Sequence, residues 1–348
     1  MSEKQYKTTQ ELRQLMDGVP RVPLAHLPTP LEELKRFSEF LSGPRILIKR
    51  DDCTGLAFGG NKTRHNEFVF GFARQKGADT VVWGAGVQSN NCRQTAATCA
   101  KLGMKCHLVL SRGSEGEEIQ GNLLIDHIMG ADVEIVDAVI GPELDEVIYR
   151  KAKALRDQGR QVFCWDRKLV KSAAAVSYVM CMIEIVEQCQ ERGIHPAAIY
   201  VCSGGSTGAG LALGKAVLGV DAPLRNITPI RWPWNVQEDL ARIANEAAEL
   251  LHVPTCMSAE EIDISEQYVG EDYGIPTVEG MEAIAALART EGILLDPSYS
   301  GKAMAAVIDH VRRGWYTRDQ SIVFVHTGGT PALFSYRDQL LDMLPVTM

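Results

Sequence analysis

A lysine stands directly behind a Gly-Gly pair in Phe58-Gly59-Gly60-Asn61-Lys62-Thr63-Arg64, where an apolar-periodic segment carrying Phe68, Val69 and Phe70 reads as the start of a helix. An ammonium near the positive end of a helix dipole is disfavoured, so such an amine is pushed toward its neutral, nucleophilic form. A neutral lysine amine condenses with carbonyls. A solvated lysine in a glycine-rich loop satisfies the same residues, and this stretch alone leaves both readings open.

Strands running into small polar turns occur at three further places. Asp79-Thr80-Val81-Val82-Trp83 leads into Gly84-Ala85-Gly86-Val87-Gln88-Ser89-Asn90-Asn91, Ala198-Ile199-Tyr200-Val201-Cys202 into Ser203-Gly204-Gly205-Ser206-Thr207-Gly208, and Ile322-Val323-Phe324-Val325 into His326-Thr327-Gly328-Gly329-Thr330-Pro331. Each turn is expected to open a helix. In an open α/β sheet such turns gather at the carboxyl edge of the strands, where ligands bind. Gly84-x-Gly86-x-x-Ser89 imitates a dinucleotide fingerprint, with Ser111 and Arg112 where a 2′-phosphate would be read. The third glycine is missing, and that reading leaves Lys62 and the second glycine loop without a role. No Gly-Lys-Ser/Thr follows Ser203 to Gly208, which argues against a nucleoside-triphosphate loop.

The elements that must position these turns alternate along the chain. Strands are expected at 45–49, 80–83, 106–110 and 161–165, and helices ending near 75 and spanning 90–102, 121–129, 142–158 and about 172–190. Such alternation predicts parallel strands covered by helices on both faces. No Pro- or Ser-rich linker, solenoid repeat or low-complexity tract divides the chain, so the residues by themselves describe one domain.

With 348 residues, 45% of them hydrophobic, the chain can bury one large core or two moderate ones. The net charge of -8 comes without a basic run, so no nucleic-acid partner is expected. The polar start Met1-Ser2-Glu3-Lys4-Gln5-Tyr6-Lys7 has no signal core, and no uninterrupted apolar run is long enough for a bilayer; a cytoplasmic protein without membrane contact is expected. Nine cysteines without a Cys-x-x-Cys pair argue against a disulfide framework or zinc site. Cys53, Cys92 and Cys202 lie beside the turns and read as small hydrophobes in preference to nucleophiles. His65, His107, His127 and His310 lack helical metal spacing, and no metal is expected.

The chain resembles the pyridoxal-phosphate (PLP) enzymes of fold type II, in the group holding D-cysteine desulfhydrase, L-cysteate sulfo-lyase and 1-aminocyclopropane-1-carboxylate deaminase. The resemblance rests on Leu27-Pro28-Thr29-Pro30-Leu31, Lys49-Arg50-Asp51-Asp52, Gly59 to Arg64, Gln88-Ser89-Asn90, Gly121-Asn122, Asp296-Pro297-Ser298-Tyr299 and His326 to Leu333, and so covers nearly the whole chain. It implies an α/β fold like the tryptophan synthase β chain, with two open, twisted, mostly parallel sheets and helices on both faces. It also implies a larger domain of residues 1–64 and 175–348, a smaller inserted domain of 65–174, PLP in the cleft between them, and a homodimer.

Residue by residue, the resemblance makes Lys62 the covalent carrier of the cofactor and, once freed, the base that takes the substrate Cα proton. Ser203, Gly204, Gly205, Ser206 and Thr207 match the phosphate cup. Ser89, Asn90 and Asn91 match the turn that receives the substrate carboxylate, with Asn90 also at the cofactor ring oxygen. Ser89 and Tyr299 join Lys62 as catalytic residues, Tyr299 lying by the substrate. Ser300 stands where the ring-opening deaminases have a glutamate facing the pyridine nitrogen. A hydroxyl there leaves a weaker electron sink, which suits loss of a good β leaving group better than cyclopropane opening. The expected reaction is β-elimination on a small amino acid such as D-cysteine or L-cysteate, releasing sulfide or sulfite, pyruvate and ammonia. The alternatives are the ring-opening deaminase, a PLP-dependent racemase or β-replacement enzyme, and a silent PLP- or amino-acid-binding protein. Three features depart from the group: His65 where lysine is usual, Asn91 where histidine or glutamine is common, and Arg231-Trp232-Pro233-Trp234. Trp232 and Trp234 read as packing between domains in preference to walling the pocket.

Overall fold

The computed structural model describes residues 6–112 and 118–343. Ten strands follow one another among these residues: β1 (Leu31–Glu33), β2 (Arg45–Lys49), β3 (Thr80–Gly86), β4 (Lys105–Ser111), β5 (Asp132–Val136), β6 (Val162–Cys164), β7 (Pro196–Cys202), β8 (Leu224–Ile227), β9 (Ile264–Ser265) and β10 (Ser321–Val325). They form two sheets, one of six strands in the order β1-β2-β10-β7-β8-β9 and one of four in the order β5-β4-β3-β6. Every pairing is parallel except β1, which lies antiparallel to β2 at the edge. The inner strands are buried on both faces, which is why Ile46-Leu47-Ile48 and Ile322-Val323-Phe324-Val325 are continuous apolar runs and do not alternate. The chain thus has the expected fold class, two mostly parallel sheets with helices packed on them.

One helix, Arg167–Glu191, is long and apolar enough to cross a membrane, yet it is a core element whose apolar residues are buried all round. It packs against the helices Asn61–Gln75, Ser206–Leu218 and Val236–Leu250. Close approach to Ser206–Leu218 depends on two glycines: a Cβ on Gly210 would fall 2.1 Å from the Ala175 carbonyl oxygen, and one on Gly214 would fall 2.8 Å from the Met182 Cβ. The helix begins at Arg167, ahead of the expected 172, because Asp166 caps it by accepting from the Leu169 N–H. Position 174/175 lies inside this helix and 64/65 inside Asn61–Gln75, so neither place is a linker.

The turns after β3 and β7 open α-helices, Asn90–Leu102 and Ser206–Leu218, as expected. The turn after β10 does not. Gly328 and Gly329 take positive φ values of 93° and 98°, and the chain enters a 3-10 helix, Thr330–Tyr336. Two consecutive left-handed glycines redirect the backbone before Pro331, and the regular i to i−4 ladder is not established.

Candidate active site

Lys62 is the second residue of Asn61–Gln75, entered through Gly59 (φ 66°) and Gly60 (φ 113°). Gly59 admits no side chain, since a Cβ there would lie 2.0 Å from the Asp52 carbonyl oxygen. The two residues before it, Ala57 (φ 41°) and Phe58 (φ 67°), are also left-handed, a conformation that costs a residue with a Cβ on the order of 1–3 kcal/mol. Two side chains from Asn90–Leu102 grip this loop. The Arg93 guanidinium donates to the carbonyls of Ala57 and Gly59, and Gln94 Nε2 donates to those of Leu56 and Gly59 at 2.8 Å each.

The Lys62 side chain is half-buried, and burial lowers its pKa to about 8. Among the described residues it has no carboxylate partner; its polar neighbour is His65, whose Nδ1 lies 3.5 Å from Nζ. Burial, followed by the charges of Lys62 and Arg64, holds the His65 imidazole well below its ordinary range, so the ring is neutral. Its Nε2 is 3.1 Å from the Thr207 hydroxyl, which also accepts from Asn61 Nδ2 at 3.0 Å. Residues on both sides of Lys62 therefore tie its helix to the glycine loop after β7.

In that loop, Ser203 Oγ accepts from the N–H groups of Gly205 (3.3 Å) and Gly208 (2.8 Å), fixing the backbone curl ahead of Ser206–Leu218. The first-turn N–H groups of Ser206 and Thr207 have no acceptor inside their own helix. A Cβ on Gly205 would meet no protein atom within 4 Å, so the space beside this backbone is open. A Cβ on Gly204 would fall 3.1 Å from Trp232 Nε1, a buried donor without a hydrogen-bond partner among the described residues. Trp232 lines the cavity and stacks on Trp234 with centroids 4.5 Å apart, which corrects the expectation that it only packs between domains.

Across the cavity, Ser89 caps Asn90–Leu102 by accepting from the N–H groups of Asn91 (3.1 Å) and Cys92 (3.2 Å). Two amides expected to face a carboxylate are thus already used, and the Ser89 hydroxyl proton remains to donate. Asn90 Oδ1 accepts from Asn122 Nδ2 at 3.0 Å and Arg93 Nη2 at 3.4 Å, which orients the Asn90 amide with its NH₂ group away from those donors. Asn122 is itself held by Gln88, donating from its side chain to the Gln88 carbonyl (2.7 Å) and from its backbone to Oε1 (2.9 Å).

Tyr299 is half-buried and its phenol is hydrogen-bonded to that of Tyr273; burial first, and then this neighbour, push its pKa well above the usual range. Ser300 opens the helix Ser300–Arg312. It is fully buried and does not line the cavity; its hydroxyl donates to Asp296 Oδ1 at 2.6 Å. Asp296 lines the cavity instead, accepting as well from the N–H groups of Ser298, Tyr299 and Ser300, an arrangement that pins the start of the helix Ser300–Arg312 and turns Ser300 inward. Sequence reading missed Tyr273, which carries no local motif, and gave Asp296 no role although it lies within a quoted segment.

Lys62, Ser89, Asn90, Asn91, Ser203 to Thr207 and Tyr299 all line one cavity of about 890 Å³. The lining thus combines the donors and hydroxyls of the glycine loop, Ser89 with two asparagines, and a lysine without a carboxylate partner among the described residues. This donor set fits a phosphate-bearing aldehyde: open backbone at Gly205 and the Trp232 N–H, unpartnered among the described residues, suit an anion, and an amine of lowered pKa suits the carbonyl.

Comparison with known proteins agrees. The sequence profile of the family described as "Pyridoxal-phosphate dependent enzyme" matches residues 22–328. A D-cysteine desulfhydrase from Serratia proteamaculans (strain 568) is 38% identical over 334 residues, covering 94% of this chain and 99% of its own length. A crystal structure described as the ACC deaminase homologue superposes with a TM-score of 0.87 at 34% identity, covering 96% of this chain and 99% of that one. The lysine, the open glycine backbone and the extent of these matches lead to one assignment: the chain belongs to the pyridoxal-phosphate dependent enzymes.

Proposed function

We propose that this enzyme is a carbon–sulfur lyase that eliminates the β substituent of a small amino acid of the D-cysteine or L-cysteate type, releasing sulfide or sulfite, pyruvate and ammonia. The observation that carries the reading is Lys62, an amine without a carboxylate partner among the described residues, sharing one cavity with a phosphate-suited loop and an anion-suited turn. The similarity to a D-cysteine desulfhydrase over nearly the full length of both chains supports the reaction type.

PLP, when bound, supplies an electron sink conjugated to the substrate Cα. The Ser203 to Thr207 loop would hold its phosphate, and the Asn90 NH₂ would reach its ring oxygen. Lys62 would carry the cofactor and, once free, take the Cα proton at Nζ, which a pKa of about 8 allows at neutral pH. The Ser89 hydroxyl, with Asn90 and Asn91, would receive the substrate carboxylate. Tyr299, kept neutral by burial and its bond to Tyr273, would donate a proton to the departing sulfur. Ser300 would act only through Asp296, holding that carboxylate in place.

The second reading, ring opening of the cyclopropane amino acid, is favoured by the ACC deaminase homologue among similar structures. A cytoplasmic homodimer, divided into domains of 1–64 with 175–348 and of 65–174, completes the proposal. A panel of D-cysteine, L-cysteine, L-cysteate, D-serine, β-chloroalanine and 1-aminocyclopropane-1-carboxylate tests it. Pyruvate from a sulfur-bearing member is expected; 2-oxobutanoate formed more efficiently than any pyruvate would replace the lyase by the deaminase.

A further inference from the structure

We infer that His65 is the resting partner of the free Lys62 amine, accepting from it at Nδ1 and passing the hydrogen bond on through Nε2–H to the Thr207 hydroxyl. The inference rests on the reading of Lys62 as the cofactor lysine and concerns a residue that departs from the expected lysine at this position. The distances are 3.5 Å from Nζ to Nδ1 and 3.1 Å from Nε2 to Thr207 Oγ1. Three positions separate Lys62 from His65, one turn of helix, so both side chains share a face.

Counting protons fixes the direction of the chain. An ammonium has only donors, so a neutral ring facing Lys62 must present the lone pair of Nδ1 and carry its proton on Nε2. Nε2–H then donates to Thr207 Oγ1, which already accepts from Asn61 Nδ2 at 3.0 Å. With both lone pairs filled, the Thr207 hydroxyl can only donate onward, and Thr207 lines the cavity at the phosphate-suited loop. The ring is buried and stands edge-on to Tyr178 at 5.4 Å and 79°. The titratable groups around the pair are Arg64 and Tyr178 behind it, Asp51 beyond Tyr178, and Tyr299, Tyr273 and Asp296 on the cavity wall. Among the described residues none of these forms an ion pair with Lys62, which leaves His65 as the group that holds the amine.

Two measurements test this. In wild-type protein freed of cofactor, with histidine labelled by nitrogen-15, NMR is expected to show His65 neutral with its proton on Nε2; a proton on Nδ1 overturns the inference and needs no variant to fold. The pH dependence of covalent PLP attachment at Lys62, trapped with borohydride and read by peptide mapping, supplies the second. A neutral acceptor stabilises the ammonium, so His65→Phe is expected to lower the midpoint by roughly one unit. His65→Asn, whose side-chain oxygen can stand near the place of Nδ1, is expected to stay close to wild type. An unmoved or raised midpoint in His65→Phe makes the ring a packing residue only. Absence of PLP from Lys62 in the wild type would instead remove the assignment of Lys62, a separate failure.

Discussion

The helix Asn61–Gln75 carries two cations, the half-buried Lys62 and the buried Arg64, two residues apart, that face different regions of the molecule. Arg64 turns into the core, where its guanidinium donates to Asp51 (2.8 Å) and to both oxygens of Glu184 (2.8 Å each). Lys49, fully buried, meets the same Glu184 at 2.7 Å and also donates to the Thr29 carbonyl and to Gln188. Tyr178, Thr29 and the Cys181 thiol also donate to Asp51. Burial alone would raise both carboxylates, yet Arg64 holds Asp51 and Glu184 below their ordinary range. Lys62, on the cavity side, has only a neutral imidazole. The difference is one of use: complete pairing makes a charge an anchor, whereas a charge left without its opposite has a mobile proton.

Breaking the anchor should have the largest effect. Glu184→Ala leaves Lys49 and Arg64 with one buried carboxylate, Asp51, between them and so one uncompensated charge in the core, and a loss of about 3–5 kcal/mol in urea unfolding is expected. PLP attachment at Lys62 should persist in the fraction that folds. A loss below about 1 kcal/mol would mean that the network is not the anchor described.

A second unpaired group sharpens the contrast. Asp126 is fully buried with neither oxygen bonded among the described residues, and burial pushes it up to about 8 against the pull of Arg93. Its folded pKa exceeds the ordinary 3.8, so between these values the folded state holds a proton that the unfolded chain has lost, and stability falls as pH rises through the window. Asp126→Asn removes that penalty. Thermal unfolding should show the variant gaining on wild type by about 3–5 kcal/mol between pH 5 and pH 9, and a constant difference across that range would refute the assignment.

The smallest effect belongs to Lys62 itself. Its folded pKa of about 8 lies below the ordinary 10.5, so the cost of burying the ammonium is complete below pH 8 and is relieved as pH rises toward 10.5. Lys62→Met should stabilise the cofactor-free protein at pH 7 by about 1–2 kcal/mol, after allowance for water in the half-open cavity, and the gain should vanish near pH 10.5. Destabilisation at pH 7 would place Lys62 with the anchors.

Local chemistry made one of these regions legible and hid the other. The helix 90–102 could be read to the residue because Ser89 caps it and Gly103 closes it in the left-handed region. Lys62 and the cup were visible because glycines and small polar residues mark backbone that needs special conformations. The Arg64 network was not, since its partners lie 13 and 120 positions away and only the fold brings them together. Strands β1 and β9, three and two residues long, are too short for any periodicity. The bond of the Ser300 hydroxyl to Asp296 was not legible, because a resemblance gives a position but not a rotamer.

The grip of Arg93 and Gln94 on the carbonyls of Leu56, Ala57 and Gly59 means that the loop leading to Lys62 is fastened to the helix capped by Ser89, although the two come from chain segments serving different sheets. Mechanically they are one part. Any rocking of the smaller sheet against the larger would carry Lys62 along with the turn at Ser89, so the distance between these two residues would be preserved.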